Sequence, residues 1–183
     1  MILIISLYED DLIYTGNNKK MFEGFKESMK KMFAMTDMGM IRYFIGVEMK
    51  QESNGIFIGQ QKYANEVLTR FGIDESNKVC NPIVLGYRLT KDESGKLVDA
   101  TNYKQMVGNL MCLLATRYDI SYSVCLVARY MERPIEAHLE ATKRILRYFK
   151  GTVNLGILYK INEEAMLQGW LDSGYARDND DKK

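Results

Sequence analysis

The chain opens with two adjacent carboxylates, Asp10 and Asp11, set between apolar stretches. A largely β-branched run from Met1 to Leu7 precedes them, and a second apolar stretch leads from them to Gly16. This pattern predicts a strand, a tight turn and a returning strand, with the acids displayed at the bend. Clustered carboxylates can hold a pair of divalent cations, and such ions can hold a triphosphate. Asp is also common in ordinary turns, so the motif alone leaves both interpretations open.

Length and composition place the chain among globular proteins of one large domain or two small ones. It has 183 residues, 46% of them hydrophobic and 27% charged, which leaves enough apolar chain for a sizeable core. The net charge of +1 is too small to attract the chain as a whole to nucleic acid or to a membrane. Binding to either would therefore need a local patch of charge.

Cysteine and histidine usage excludes several kinds of site. Cys80, Cys112 and Cys125 are an odd number without CxxC spacing, which indicates reduced thiols in a cytoplasmic or nuclear protein. The chain has one histidine, His138, which makes a Cys/His zinc cluster improbable. Its position near the start of a predicted helix favours a role in packing or capping.

The apolar opening predicts a core strand rather than a targeting segment. It lacks a basic region, and acids interrupt it after Leu7, too early for a signal peptide or a membrane span. A core strand that begins at residue 1 leads us to expect further chain upstream.

The first half of the sequence predicts alternating helices and hairpins. Helical spacing of apolar residues extends over Lys19–Phe33, with Asn17 or Asn18 as cap, and over Gln60–Phe71. A strand pattern covers Gly39–Met49. The turn residues Ser53-Asn-Gly55 follow it, and the chain then forms a partner strand to complete a hairpin.

The second half predicts mainly helices after an irregular stretch, residues 73–102, that suits a subdomain boundary. The fold class is therefore α/β, in the mixed α+β sense. The predicted helices are Tyr103–Leu114, Ile120–Met131 and Glu136–Lys150, and the predicted strands are Val153–Tyr159 and Met166–Leu171.

Six ordered groups of residues cover nearly the whole chain and carry a family resemblance. They are Tyr8-Glu-Asp-Asp11 with Leu12–Gly16, Met38-Gly39 with Tyr43–Glu48, Gly55–Ala64, Tyr103–Tyr122, Pro134 with His138, and Lys143–Thr152. In this order they resemble the reverse transcriptase of copia-type long-terminal-repeat retrotransposon Pol polyproteins.

The resemblance implies three regions. Residues 1–63 would be the C-terminal part of the polymerase palm with a primer-grip-like hairpin, and residues 64–152 a mostly helical thumb and connection. Residues 153–183 would be the truncated start of a ribonuclease H-like domain.

The resemblance also implies site residues and ligands. Asp10 and Asp11 would be catalytic ligands of Mg²⁺ or Mn²⁺, and Asp172 the first metal-binding acid of ribonuclease H. Tyr8 would lie near the primer–template. Phe44 and Gly46 would stand at the primer grip. The implied partners are an RNA or DNA primer–template, deoxynucleoside triphosphates and the rest of a Pol polyprotein, with the oligomeric state left open and no membrane partner.

Departures from the family pattern predict that this chain is inactive by itself and binds no metal tightly. The family's further palm aspartate would precede Met1, and most ribonuclease H acids would follow Asp172. Glu9 replaces an apolar residue, and a third carboxylate beside Asp10 and Asp11 disfavours joint ionisation without metal. A chain lacking sheet neighbours for its first strand could also fail to fold alone, which is a further possibility.

A basic helix offers an alternative function. Lys143, Arg147 and Lys150 recur at helical spacing with Arg144 beside them, a stripe that could follow a phosphate backbone in a non-catalytic nucleic-acid-binding module. The same residues could instead complement the helix dipole and remain solvated.

Overall fold

Mixed helices and antiparallel strands form two compact units, Met1–Phe44 and the chain from Ile45 onward, in a computed structural model. The structure describes residues 1–84, 86, 88–91 and 94–161. The α/β class expected from the sequence is confirmed. Among these described residues, no helix has the length and apolar character needed to cross a membrane.

The first unit is a hairpin followed by a helix. Strands β1 (Leu3–Tyr8) and β2 (Asp11–Gly16) pair antiparallel, and helix α1 spans Lys19–Met32. The side chain of Asn18 caps α1, accepting a hydrogen bond of 3.1 Å from the backbone N–H of Met21. These elements lie where the alternation, the turn residues and the cap predict them.

Aromatic contacts join the hairpin to α1. The ring of Tyr14 on β2 lies 5.6 Å from that of Phe22 and 5.5 Å from that of Phe25, centroid to centroid. No residue of the first unit is fully buried, and the β1 side chains Ile4 and Leu7 are exposed. The unit therefore derives little stability from apolar burial of its own.

The second unit contains a sheet of order β4-β5-β6. Strands β4 (Val47–Glu52) and β5 (Gly55–Gly59) form the predicted hairpin, and β6 (Ile157–Lys160) pairs antiparallel with β5.

Two strand predictions need correction. The continuous strand expected over Gly39–Met49 is wrong: the two-residue strand β3 (Tyr43–Phe44) is followed by Ile45 and Gly46, whose φ angles of 47° and 76° are left-handed and end an extended run. The strand expected from Val153 starts only at Ile157, because backbone turns extend the end of the preceding helix, with Leu155 N–H donating to Thr152 O at 3.1 Å. The strand expected over 166–171 lies outside the described residues.

Four helices of the second unit enclose the core. They are α2 (Gln61–Arg70), α3 (Ala100–Leu113), α4 (Ser121–Ala128) and α5 (Glu136–Lys150), each close to its predicted position. Their apolar faces bury one continuous cluster. Its members include Ala64, Val67, Leu68, Tyr103, Val107, Leu110, Leu113, Val124, Val127, Ile145, Leu146 and Phe149.

His138 caps and packs the start of α5, as the sequence predicts. Its Nδ1 accepts a hydrogen bond of 3.2 Å from the backbone N–H of Ile135, and its Nε2 lies 3.0 Å from Thr90 O. Its ring stacks on Tyr130 with centroids 3.9 Å apart. The two ring nitrogens thus hold two loops against the helix.

A buried guanidinium links a short 3₁₀ turn (Tyr118–Ile120) to the end of α5. The Arg117 side chain is 2% exposed and donates two hydrogen bonds of 2.7 Å to the carboxylate of Asp119. It also donates to the backbone oxygen of Thr152 at 2.7 Å and stacks 4.4 Å from the Phe149 ring centroid. Hydrogen bonding to Arg117 lowers the pKa of Asp119 below its ordinary value of 3.8.

We expect Asp119→Asn to lower the free energy of unfolding near neutral pH and to weaken its acid dependence. A carboxyl whose pKa is depressed by folding stabilises the protein above pH 3.8 and loses that contribution as the pH falls through the folded pKa. Because Asp119 is partly exposed, the loss near pH 7 should be about 1 kcal/mol. Urea unfolding at pH 7 and pH 3 measures both effects.

The matched control is Asp74→Asn, which removes an exposed carboxylate from the same unit. Equal loss of acid dependence in Asp74→Asn and Asp119→Asn would contradict a specific role for the Arg117–Asp119 pair.

Candidate functional site

A two-residue turn holds the acidic motif at the tip of the first hairpin. Tyr8 pairs with Asp11 at the end of the strand register, which leaves Glu9 and Asp10 in the turn. Glu9 has φ of 50°, a left-handed conformation that such tight turns require and that glycine, asparagine or aspartate adopt more readily than glutamate. The turn thus places Asp10 at the tip and Asp11 at the first position of the returning strand.

Neither aspartate is committed to another group among the described residues. Asp10 and Asp11 are exposed, and within the part of the chain that the structure describes neither has a hydrogen-bond or ion-pair partner. Both line a cleft of about 340 Å³, together with Lys26 and Lys30 of α1. Two carboxylates without partners beside a cleft are available to a cation.

One lysine that lines the cleft is already neutralised. Lys26 forms an ion pair with Asp37, and this hydrogen bond raises the pKa of the ammonium group and lowers that of the carboxyl. Asp37 Oδ1 also accepts a hydrogen bond of 3.0 Å from the Gly39 N–H, which lowers its pKa further. Residue spacing gives no signal for this pair, because only the path of residues 33–39 brings Asp37 back to the helix.

The carboxylates present make only a partial metal site. A two-metal centre needs ligands for two ions, and Mg²⁺ demands near-ideal octahedral geometry. Among the described residues, no group of three or more His, Cys, Asp or Glu side chains could hold a metal ion. Asp10 and Asp11 therefore fit as contributors to a divalent-cation site but do not complete one.

Of the three other predicted palm residues, Tyr8 and Phe44 contact each other and Gly46 belongs to the second unit. The Tyr8 ring contacts that of Phe44 edge to face, with centroids 6.0 Å apart, so these two share one side of the hairpin unit. Gly46 belongs to the second unit and adopts a left-handed φ of 76°. Asp172 lies outside the described residues.

Most of the predicted basic stripe on α5 bonds to one neighbouring segment, residues 74–81. Lys150 Nζ donates to the backbone oxygens of Asp74 and Ser76, the latter at 2.8 Å. Arg147 Nε donates to Asn77 O at 2.7 Å, and the Arg144 guanidinium donates to the Asn81 side chain.

These contacts define a basic clamp, formed by Arg144, Arg147 and Lys150, that fastens residues 74–81 to α5. Lys143 is exposed and has no hydrogen-bond or ion-pair partner within the described ranges. Sequence spacing identified the stripe but could not show that backbone carbonyls would occupy its donors.

Comparisons with known proteins relate this chain to reverse transcriptases and retrotransposon polyproteins. Residues 1–85 match the protein family described as reverse transcriptase (RNA-dependent DNA polymerase). The retrovirus-related Pol polyprotein from transposon RE1 of Arabidopsis thaliana is 34% identical over 180 residues, which cover 98% of this chain and 12% of that protein. The corresponding polyprotein from transposon TNT 1-94 of Nicotiana tabacum is 31% identical over 191 residues, which cover 99% of this chain and 14% of that one.

A shorter relative matches over most of its own length. The uncharacterized mitochondrial protein AtMg00810 of Arabidopsis thaliana is 32% identical over 174 residues, covering 95% of this chain and 72% of that protein. No solved structure matches the chain. This chain therefore spans only a small share of the Pol polyproteins that it resembles, and most of the shorter protein.

We expect Glu9→Gly to stabilise the hairpin by about 1 kcal/mol, because glycine adopts the left-handed turn without the steric penalty that a side chain incurs. Amide hydrogen exchange of the β1 and β2 residues measures this local stability. Glu9→Gln is the control, since it removes the charge and keeps the backbone constraint. Equal slowing of exchange in both variants would show that charge, rather than backbone strain, is responsible.

We expect Arg147→Ala to lower the free energy of unfolding by about 1 kcal/mol, because it removes a charged hydrogen bond of the basic clamp. It should also speed exchange of the Val79 amide, which lies 3.4 Å from Arg147 O. Lys143→Ala, four residues earlier and outside the clamp, should change neither quantity. If Arg147→Ala left stability and exchange unchanged but weakened binding to a primer–template, a nucleic-acid-facing role would replace the clamp.

Proposed function

Since this chain belongs to the reverse transcriptase family of copia-type retrotransposon Pol polyproteins, we propose that it contributes part of the catalytic centre of an RNA-directed DNA polymerase. The observation that carries this proposal is the pair of exposed, uncommitted carboxylates, Asp10 and Asp11, at a hairpin tip inside the matched residues 1–85. In the intact enzyme the substrates would be a primed RNA or DNA template and deoxynucleoside triphosphates.

Asp10 and Asp11 would each supply carboxylate oxygens to Mg²⁺ or Mn²⁺. Such ions, when bound, activate the primer 3′-oxygen and offset the charge on the departing pyrophosphate. The protein's own contribution is placement: the two-residue turn directs Asp10 outward, and the pairing with Tyr8 holds Asp11 in the strand register. Because the described residues contain no third ligand for such a group, we expect weak metal binding and no polymerisation by this chain alone.

The functional regions follow the resemblance. Residues 1–63 would form the C-terminal part of the palm, 64–152 the thumb and connection, and 153–183 the start of ribonuclease H with Asp172. The boundary between the two compact units lies after Phe44, before the end of the palm region at residue 63, and separates Phe44 from Gly46. The palm would thus combine the hairpin unit with the first strands of the second unit. The enzyme would act in the cytoplasm or nucleus together with the rest of a Pol polyprotein.

The alternative of a non-catalytic nucleic-acid-binding module receives less support from the geometry. Three of its four basic residues already donate to residues 74–81. Lys143 remains exposed, but a single lysine supplies only a small fraction of the charge that phosphate-backbone binding requires.

The metal-ligand proposal is tested on the chain itself with Mn²⁺, whose unpaired electrons broaden nearby NMR signals. We expect Mn²⁺ at millimolar concentration to broaden the amide signals of the hairpin tip first. Asp10→Asn and Asp11→Asn should each reduce this broadening severalfold, because each removes an anionic ligand. Asp74→Asn is the matched control, since it removes another exposed carboxylate, from the other unit. Equal broadening in the wild type and Asp10→Asn would contradict a ligand role for Asp10.

Polymerase activity is tested in two settings. The purified chain with Mg²⁺ or Mn²⁺ should not extend a primed template. A chimera in which this chain replaces the aligned 180 residues of the RE1 polyprotein should extend it, and Asp10→Asn in that chimera should abolish extension. Extension by the chain alone would overturn its inactivity, and an active Asp10→Asn chimera would overturn the catalytic assignment.

A further inference from the structure

The second unit contains a cavity of about 560 Å³ that the acidic hairpin does not line. It lies among α4, α5, residues 73–84 and Leu89, and its size falls within the range of about 300–1,000 Å³ found for small-molecule sites. Most of its wall is apolar. The apolar side chains include Ile73, Ile83, Val84, Leu126, Val127 and Ile145.

The charged groups on the cavity wall are mainly positive. Lys143, Arg144 and Arg147 line it, against one carboxylate, Glu140. Glu140 and Arg144 are four residues apart on α5, a spacing that allows pairing. No ion pair joins them within the described residues. The cavity therefore has positive charge to offer a ligand.

Arg144 also has an unsatisfied donor. One terminal nitrogen of its guanidinium donates to the Asn81 side chain. Its Nε atom is buried and has no hydrogen-bond partner within the described part of the chain. A buried N–H without an acceptor is unfavourable, so an anion that reached this atom would gain a charge-assisted hydrogen bond.

We propose that this cavity is a binding site for a small amphipathic anion, whose apolar body packs between α4 and α5 and whose carboxylate accepts a hydrogen bond from Arg144. The apolar wall favours an aliphatic chain over a phosphodiester backbone, which carries its charge along its whole length. The positively charged residues of the cavity wall favour a carboxylate over a neutral molecule of the same shape.

The test compares decanoate with decanol, two ligands that share an aliphatic chain and differ in head-group charge. Isothermal titration calorimetry with the full 183-residue chain, below the micelle concentration, should give saturable binding of decanoate. We expect it to bind about tenfold more tightly than decanol, as one charge-assisted hydrogen bond implies. Arg144→Gln should remove this preference and leave decanol affinity unchanged.

Two further variants separate the cavity from general surface charge. Lys104→Gln removes a positive charge from α3, away from the cavity wall, and should leave both affinities unchanged. Leu126→Trp places bulk in the cavity and should weaken decanoate and decanol alike. Circular dichroism and thermal melting verify that each variant is folded, and Arg144→Gln still tests the proposal if Leu126→Trp does not fold.

Several results would overturn the proposal. These are absence of saturable decanoate binding, equal affinity for decanoate and decanol, or equal weakening by Lys104→Gln and Arg144→Gln. If a primer–template displaced decanoate, the positively charged residues of the cavity wall would bind nucleic acid instead. A wild-type dimer that Leu126→Trp converts to monomer in sedimentation would assign the cavity to a second copy of the chain.

Discussion

Burial of apolar side chains among α2, α3, α4 and α5 is the interaction on which the rest of the second unit depends. Every fully buried apolar residue of the described chain lies in this unit. Once the helices are packed, their outer surfaces provide a frame for the 3₁₀ turn, for residues 74–81 and for the cavity between α4 and α5. The first unit has no comparable core. Its hairpin relies on strand pairing and on the contacts of Tyr14 with α1.

Charged side chains serve two different purposes in the two units. In the second unit, Arg117 and the basic clamp make hydrogen bonds that hold loops against helices. The carboxylate of Asp119 offsets the charge of Arg117, whereas the described residues form no ion pair with Arg144 or Arg147. In the first unit, Lys26 and Asp37 neutralise each other while Asp10 and Asp11 remain exposed. A charged group without a protein partner gains nothing for stability, but it is available to a ligand. This contrast distinguishes the candidate catalytic carboxylates from the structural ones.

The hairpin tip, where the proposed metal ligands lie, has an unfavourable backbone conformation. A two-residue turn places Asp10 at the tip, and it requires the preceding residue, Glu9, to adopt a left-handed φ. Glutamate is poorly suited to that conformation, and its charge adds to the repulsion between the neighbouring carboxylates. The turn is therefore suited to displaying acids and poorly suited to stability.

The sequence by itself determined the secondary structure wherever apolar periodicity and terminal signals agreed, as they do for α1, α5 and the hairpin around Asn54. It also identified the acidic turn and the family, because both depend on the order of residues along the chain. It placed β3 wrongly, because left-handed angles at Ile45 and Gly46 leave no periodic signal. Only the tertiary structure decided that the basic stripe clamps residues 74–81, that Asp37 neutralises Lys26, and that Arg144 borders a cavity. The clamp and the cavity join residues distant in sequence, and the packing of the helices selects the partners. The Lys26–Asp37 pair depends on the path of residues 33–39. Local spacing encodes neither.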